Sequence, residues 1–127
     1  MATWTGLILT LKQTDAQRLL KIVGVTYGYT LTCDVVECER NVSYDISVDI
    51  LGDDLVRDDV LATGVDLHIV ECGGPPALPI EMRRSFLVGQ SLLDEDVGKD
   101  EIKLRIRARD AAGDEISADT GVVHGDF

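Results

Sequence analysis

Apolar and polar residues alternate along most of this chain with a period of two. The clearest stretch is 42–50, where Val42, Tyr44, Ile46, Val48 and Ile50 interleave with Ser43, Asp45, Ser47 and Asp49. Successive side chains of an extended strand point to opposite faces, so this spacing predicts a strand with one buried face. Residues 23–35 repeat the pattern over a longer span. Val23, Val25, Tyr27, Tyr29, Leu31, Cys33 and Val35 alternate with Gly24, Thr26, Gly28, Thr30, Thr32 and Asp34. They predict one long strand, with Gly24 and Gly28 marking a bend or bulge. Leu7, Leu9 and Leu11 predict an opening strand. Val65, Leu67 and Ile69 predict another that faces the core, with Asp66, His68 and Val70 on the opposite side. Residues 82–93 again have strand character, and Leu55–Leu61 is short and ambiguous.

The end of the chain predicts a hairpin. Ile102, Leu104, Ile106 and Ala108 face inward on one strand, and Ile116, Ala118, Thr120 and Val122 on the next. Asp110, Ala111, Ala112 and Gly113 form the turn, where glycine adopts positive φ at little cost. Turn chemistry also marks 51–54 (Leu-Gly-Asp-Asp) and the acidic stretch 94–101. Residues 72–79 hold two glycines and all three prolines of the chain, so they read as a long exposed connection. One short helix of a turn or two is indicated after Thr14 or Asp15 as N-cap, with Arg18–Ile22 equally suited to a strand. The pattern therefore predicts a single all-β domain over 1–127, an antiparallel β-sandwich of seven to eight strands, with a closed barrel as the second architecture. This arrangement of strands is similar to immunoglobulin-like and fibronectin-like sandwiches, although it lacks the Cys…Trp…Cys core signature. The resemblance is one of architecture and implies no function.

Composition narrows the classes of partner. The 127 residues carry a net charge of −11. Such a surface repels nucleic acid and anionic lipid, favours solubility, and suits a cationic partner or a divalent metal. The N-terminal segment lacks the longer apolar run of a signal peptide, and no run approaches the roughly 18 apolar residues of a membrane span. The expected location is cytoplasmic, or outside by a route that needs no N-terminal signal. Cys33, Cys38 and Cys72 are odd in number, which argues against a complete disulfide framework. They are expected to be free, buried and apolar in a reducing compartment.

Three groups of residues are candidates for function. Lys103, Arg105, Arg107 and Arg109 form a basic ladder on alternate positions of one strand. Arginine suits bidentate anion contacts, so the ladder is a candidate surface for an anionic or acidic protein partner. The same sequence offers Asp45, Asp49, Glu115 and Asp119 on outer faces of neighbouring strands as its complement, and opposite charges across strands contribute about 0.2–1 kcal/mol each. Asp53, Asp54, Asp58 and Asp59, together with Asp94 and Asp96, are candidate ligands for calcium, which takes six to eight oxygens. Residues 94–105 do not form an EF-hand loop. Gly98 stands at the third acidic position, Lys99 at the required glycine and Arg105 at the closing glutamate. Catalytic motifs are missing: there is no Gly-x-Ser-x-Gly, P-loop or His-Glu-x-x-His. His68 and Cys72, four apart on a strand, would lie roughly 13 Å apart, too far for a nucleophile and its base. The tyrosines are expected in the core, with an exposed Trp4 as the sign of a binding surface. The expectation is a non-catalytic protein-interaction or accessory module that needs no cofactor and binds through an edge strand or end loops. Homo-oligomerisation is left open. The alternative is a calcium or small-ligand domain built on the acidic loops.

Overall fold

Strands form almost wherever the alternation runs, and the computed structural model of the chain describes residues 1–53, 58–74, 77–93 and 100–125. In chain order these hold β1 (Thr3–Lys12), α1 (Asp15–Leu20), β2 (Ile22–Thr32), α2 (Val35–Glu39), β3 (Ser43–Asp53), β4 (Asp58–Glu71), β5 (Ile80–Gly89), α3 (Gln90–Leu93), β6 (Asp100–Arg109), β7 (Glu115–Asp119) and β8 (Val123–Gly125). The fold is all-β and the strands pair antiparallel in two sheets. One has the order β1-β2-β5, the other β4-β3-β6-β7, with β8 also pairing β6. Inward residues of both sheets join one apolar cluster, including Val23, Val25 and Leu31 from β2, Ile46, Val48 and Ile50 from β3, and Ile102, Leu104 and Ile106 from β6. Burying each such side chain contributes about 1.5–3 kcal/mol.

Both short helices along β2 begin with a reciprocal cap. Thr14 accepts from the Gln17 amide while Gln17 accepts from that of Thr14, as the helix signal at Thr14 predicted. Asp34 and Glu37 do the same for α2. That second box ends β2 at Thr32, so the long strand expected over 23–35 is shorter by three residues. An Asp-x-x-Glu signature was present in the sequence and marks the boundary. In the same way 82–93 divides into β5 and the single turn α3, and residues 58–61 of the ambiguous stretch join 65–69 in one long β4.

Gly24 and Gly28 do not bulge β2, whose register with β5 is unbroken from Ile22 to Leu31. The irregularity lies in β1 between Thr5 and Ile8, where Gly6 takes φ +59°. Gly28 instead makes room: a Cβ there would stand 3.1 Å from the Ile8 side chain and 3.2 Å from the Met82 carbonyl oxygen. The β6–β7 hairpin forms as expected, with Asp110 accepting from the Asp114 amide and Gly113 at φ +90°. Thr120 is buried at its end, and its hydroxyl accepts the Leu104 amide. Val122 is exposed rather than inward, because the pairing with β6 lapses between β7 and β8.

The cysteines depart from expectation. All three are buried, but Cys33 and Cys72 are joined in a disulfide with their Cα atoms 5.9 Å apart, and only Cys38 is free. An odd count leaves room for one bridge and one thiol. The bridge ties the end of β2 to the end of β4, which a count of cysteines could not foresee because their separation is tertiary. It also removes the premise from which a reducing compartment was inferred.

Candidate functional site: the outer face and open edge of the second sheet

β4 determines the chemistry of this region, and its facing is the reverse of the sequence expectation. Leu67 and Ile69 point outward and are 67% and 66% exposed, while Asp66, His68 and Val70 point into the protein. Two irregularities in the β3–β4 ladder accompany this. Val48 pairs with Asp66 and Ile50 with Ala62, so Thr63, Gly64 and Val65 stand opposite Asp49 alone. Gly64 has φ +60°, and its amide donates to the Asp49 carboxylate at 3.0 Å. The second irregularity drops Leu61 from the ladder, which changes the parity of the strand.

The inner side of β4 explains why two polar residues are buried. The Tyr27 and Tyr29 hydroxyls and the Arg84 guanidinium of the other sheet all reach the same region. Arg84 grips Asp66 with two bonds, Nε at 2.7 Å and Nη2 at 3.1 Å, and Tyr27 donates to the same carboxylate. Tyr29 Oη lies 2.6 Å from His68 Nε2, and the two rings stack. Trp4 packs edge-on against Tyr29 and is half-buried, not an exposed anchor. Burial pushes the Asp66 carboxyl upward, but the Arg84 fork and the Tyr27 hydroxyl outweigh it and hold it below the usual carboxylate range. Burial, helped by the Arg84 charge, lowers the His68 pKa despite nearby Asp66. Burial likewise raises both tyrosines, which therefore stay protonated. His68 thus lies inside as a structural partner of Tyr29, its ring 8% exposed.

On the outer face the basic ladder occupies the predicted register, and the acidic residues stand across from it. Arg105 holds Asp119 with two bonds of 2.8 and 3.1 Å, and Lys103 reaches the same carboxylate at 3.1 Å. Arg107 bonds Ser47 at 3.0 Å and Asp49 at 3.1 Å, and Arg109 bonds Glu115 at 3.2 Å. Arg109, at 60% exposed, is the most accessible of these cations. Arg105 and Lys103 together hold Asp119 below the normal carboxylate range, with the Arg105 hydrogen bond the larger cause.

Beside the ladder, Asp45 and Ser47 of β3 line a shallow groove with Leu67 and Ile69 of β4. Asp45 stands opposite Ile69, and Ser43 opposite Glu71. Sequence reasoning missed this groove. Alternation alone says that one face of a strand is buried but not which, and the signal that could have found it was the aspartate–histidine pair on the same parity as Val70.

Of the candidate calcium ligands, Asp53, Asp58 and Asp59 lie at one end of this sheet, where Asp53 pairs with Asp58, Gly52 with Asp59, and Gly52 also with Ile102. Asp54, Asp94 and Asp96 lie outside the described residues. Among the described residues no group of three or more His, Cys, Asp or Glu is placed to hold a metal ion. No helix among them is long and apolar enough to cross a membrane.

No protein-family model matches this chain, and no curated protein matches it. Among solved structures it is similar to the crystal structure of a Bordetella pertussis protein described as ApaA, at 11% identity, covering 98% of this chain and 91% of that one with a TM-score of 0.43. A likeness that loose carries neither a fold nor a function over to this chain.

Proposed function

We propose that the chain is an antiparallel β-sandwich of immunoglobulin-like build that acts as a non-catalytic protein-interaction module, docking its partner on β4 and the adjoining outer face. The shared core of the two sheets and the side-chain bonds from Tyr27 and Tyr29 to β4 support the sandwich reading. One observation carries the function: an edge strand of 14 residues presents Leu67 and Ile69 outward beside a groove, while Asp66 and His68 are turned inward. Exposed edges are usually blunted by charge, proline or a cover, because their free backbone groups recruit other strands. Leaving Leu67 and Ile69 in water gives up about 1.5–3 kcal/mol for each side chain. A partner that covers them recovers it. His68 and Asp66 are committed to Tyr29, Tyr27 and Arg84, which supports a structural rather than catalytic use of the pair.

Site-specific photo-crosslinking tests this reading. A photoreactive residue at Ile69 should give adducts with another protein in cells that make the chain. The same residue at Leu87, an exposed apolar position on the other sheet, should not. Equal yields from both positions, or none from either, would remove β4 as the docking site.

A further inference from the structure

We propose that β4 takes up, as an added strand, an extended peptide segment carrying two apolar residues and a basic one at successive alternate positions. The inference rests on the docking reading above and names the chemistry of the partner.

The backbone supplies the first argument. The Cys72 amide donates to the Val42 carbonyl at 2.9 Å, in line with the register that pairs Ser43 with Glu71. In an antiparallel strand the N–H and C=O of one residue point to the same side, and the side alternates along the strand. Val70, His68 and Asp66 therefore direct their backbone groups toward β3, as Cys72 does. Glu71, Ile69 and Leu67 direct theirs to the open side, because β4 ends the order of its sheet. The residues that offer free backbone bonds are thus the same ones whose side chains face outward. An added strand would pair with them and set its own alternate side chains beside Leu67, Ile69 and Glu71.

Charge supplies the second argument. The third position of that row is Glu71, and Asp45 stands across from Ile69 on β3. Both are exposed, and among the described residues neither takes part in an ion pair. Arg109, the cation in register with Asp45 on β6, is bonded to Glu115. The row therefore reads apolar, apolar, acidic, in a molecule of net charge −11. A complementary strand reads apolar, apolar, basic. A second copy of this chain would bring the same acidic row and the same net charge, which disfavours it.

Fluorescence anisotropy on the full chain tests the proposal with two labelled ten-residue peptides. Both alternate threonine with valine, valine and a third residue, which is lysine in one and glutamate in the other. The lysine peptide should bind at least about fivefold tighter than the glutamate peptide, and Glu71→Lys should reverse the order. Glu71 is exposed, and an unchanged melting curve for that variant confirms that it folds. Equal binding of the two peptides, or binding of neither, overturns the proposed partner chemistry. The docking reading then survives only if crosslinks from Ile69 persist. A concentration-dependent dimer in sedimentation, abolished by Ile69→Lys, also overturns the proposal, by making the second copy the occupant.

Discussion

β6 and β4 are members of the same sheet, and they solve the same problem in opposite ways. β6 buries Ile102, Leu104, Ile106 and Ala108 and holds its cations on the outer face against acidic neighbours. β4 buries an aspartate and a histidine and leaves Leu67 and Ile69 in solvent. In β6 from Glu101 to Arg109 every inward residue is apolar and every outward one charged, so only one facing is cheap. In β4 both parities contain an apolar residue that would pack, and the choice falls to the neighbours. Tyr27, Tyr29 and Arg84 carry polar atoms into the interior from the other sheet, and a buried polar atom without a partner costs several kcal/mol. Asp66 and His68 meet that need; leucine and isoleucine at those positions would leave it unmet.

The comparison can be broken most directly at Asp66. Asp66→Asn keeps the shape but removes the charge that Arg84 and Tyr27 bond. It should cost about 2–3 kcal/mol, measured by urea denaturation, because it strands a partly buried guanidinium. Arg84 is itself 36% exposed, so the loss should stay below that of a fully buried pair. A cost under ~0.5 kcal/mol would mean that the cluster does not hold β4 in its register.

A smaller effect is expected from pH. The folded His68 pKa lies below its ordinary value of 6.5, so the unfolded chain binds the proton more readily. Stability is then complete above about pH 6.5 and falls as the pH drops through that value toward the lower folded pKa. Asp66, whose pKa is also lowered, contributes stability that is lost only below its ordinary 3.8, so the two windows separate. Thermal melts of the parent and His68→Gln between about pH 7 and pH 5 should show a falling midpoint in the parent and a flatter one in the variant. Parallel curves would assign the acid loss to other groups.

The smallest effect is the most diagnostic. Leu67→Thr and Ile69→Thr should each change stability by no more than ~0.5 kcal/mol, as exposed substitutions do. Had β4 faced the way its sequence first suggests, each would cost about 2–5 kcal/mol as a core truncation.

Much of the molecule was legible before its structure. The alternations at 42–50 and 102–108 gave β3 and β6 their faces, the basic ladder its outer position, and Asp49, Glu115 and Asp119 their place across from it. Thr14 or Asp15 marked the start of α1. Asp34 and Glu37 marked α2 just as clearly, but the periodic run through Val35 masked them. The groove between Asp45 and Ile69 was not legible, since it depends on which face of β4 is buried, and the partners of that face, Tyr27, Tyr29 and Arg84, lie on the other sheet.

The sequence by itself determined that this chain builds antiparallel sheets. Period-two alternation is a property of the strand alone, and it holds whatever the strand packs against. Only the tertiary structure decided which side of β4 meets water, and that Cys33 finds Cys72 across 39 residues. Both depend on partners far away in the chain. A backbone repeat carries no information about such partners until the two sheets come together and Asp66, His68 and the thiols meet the groups that bind them.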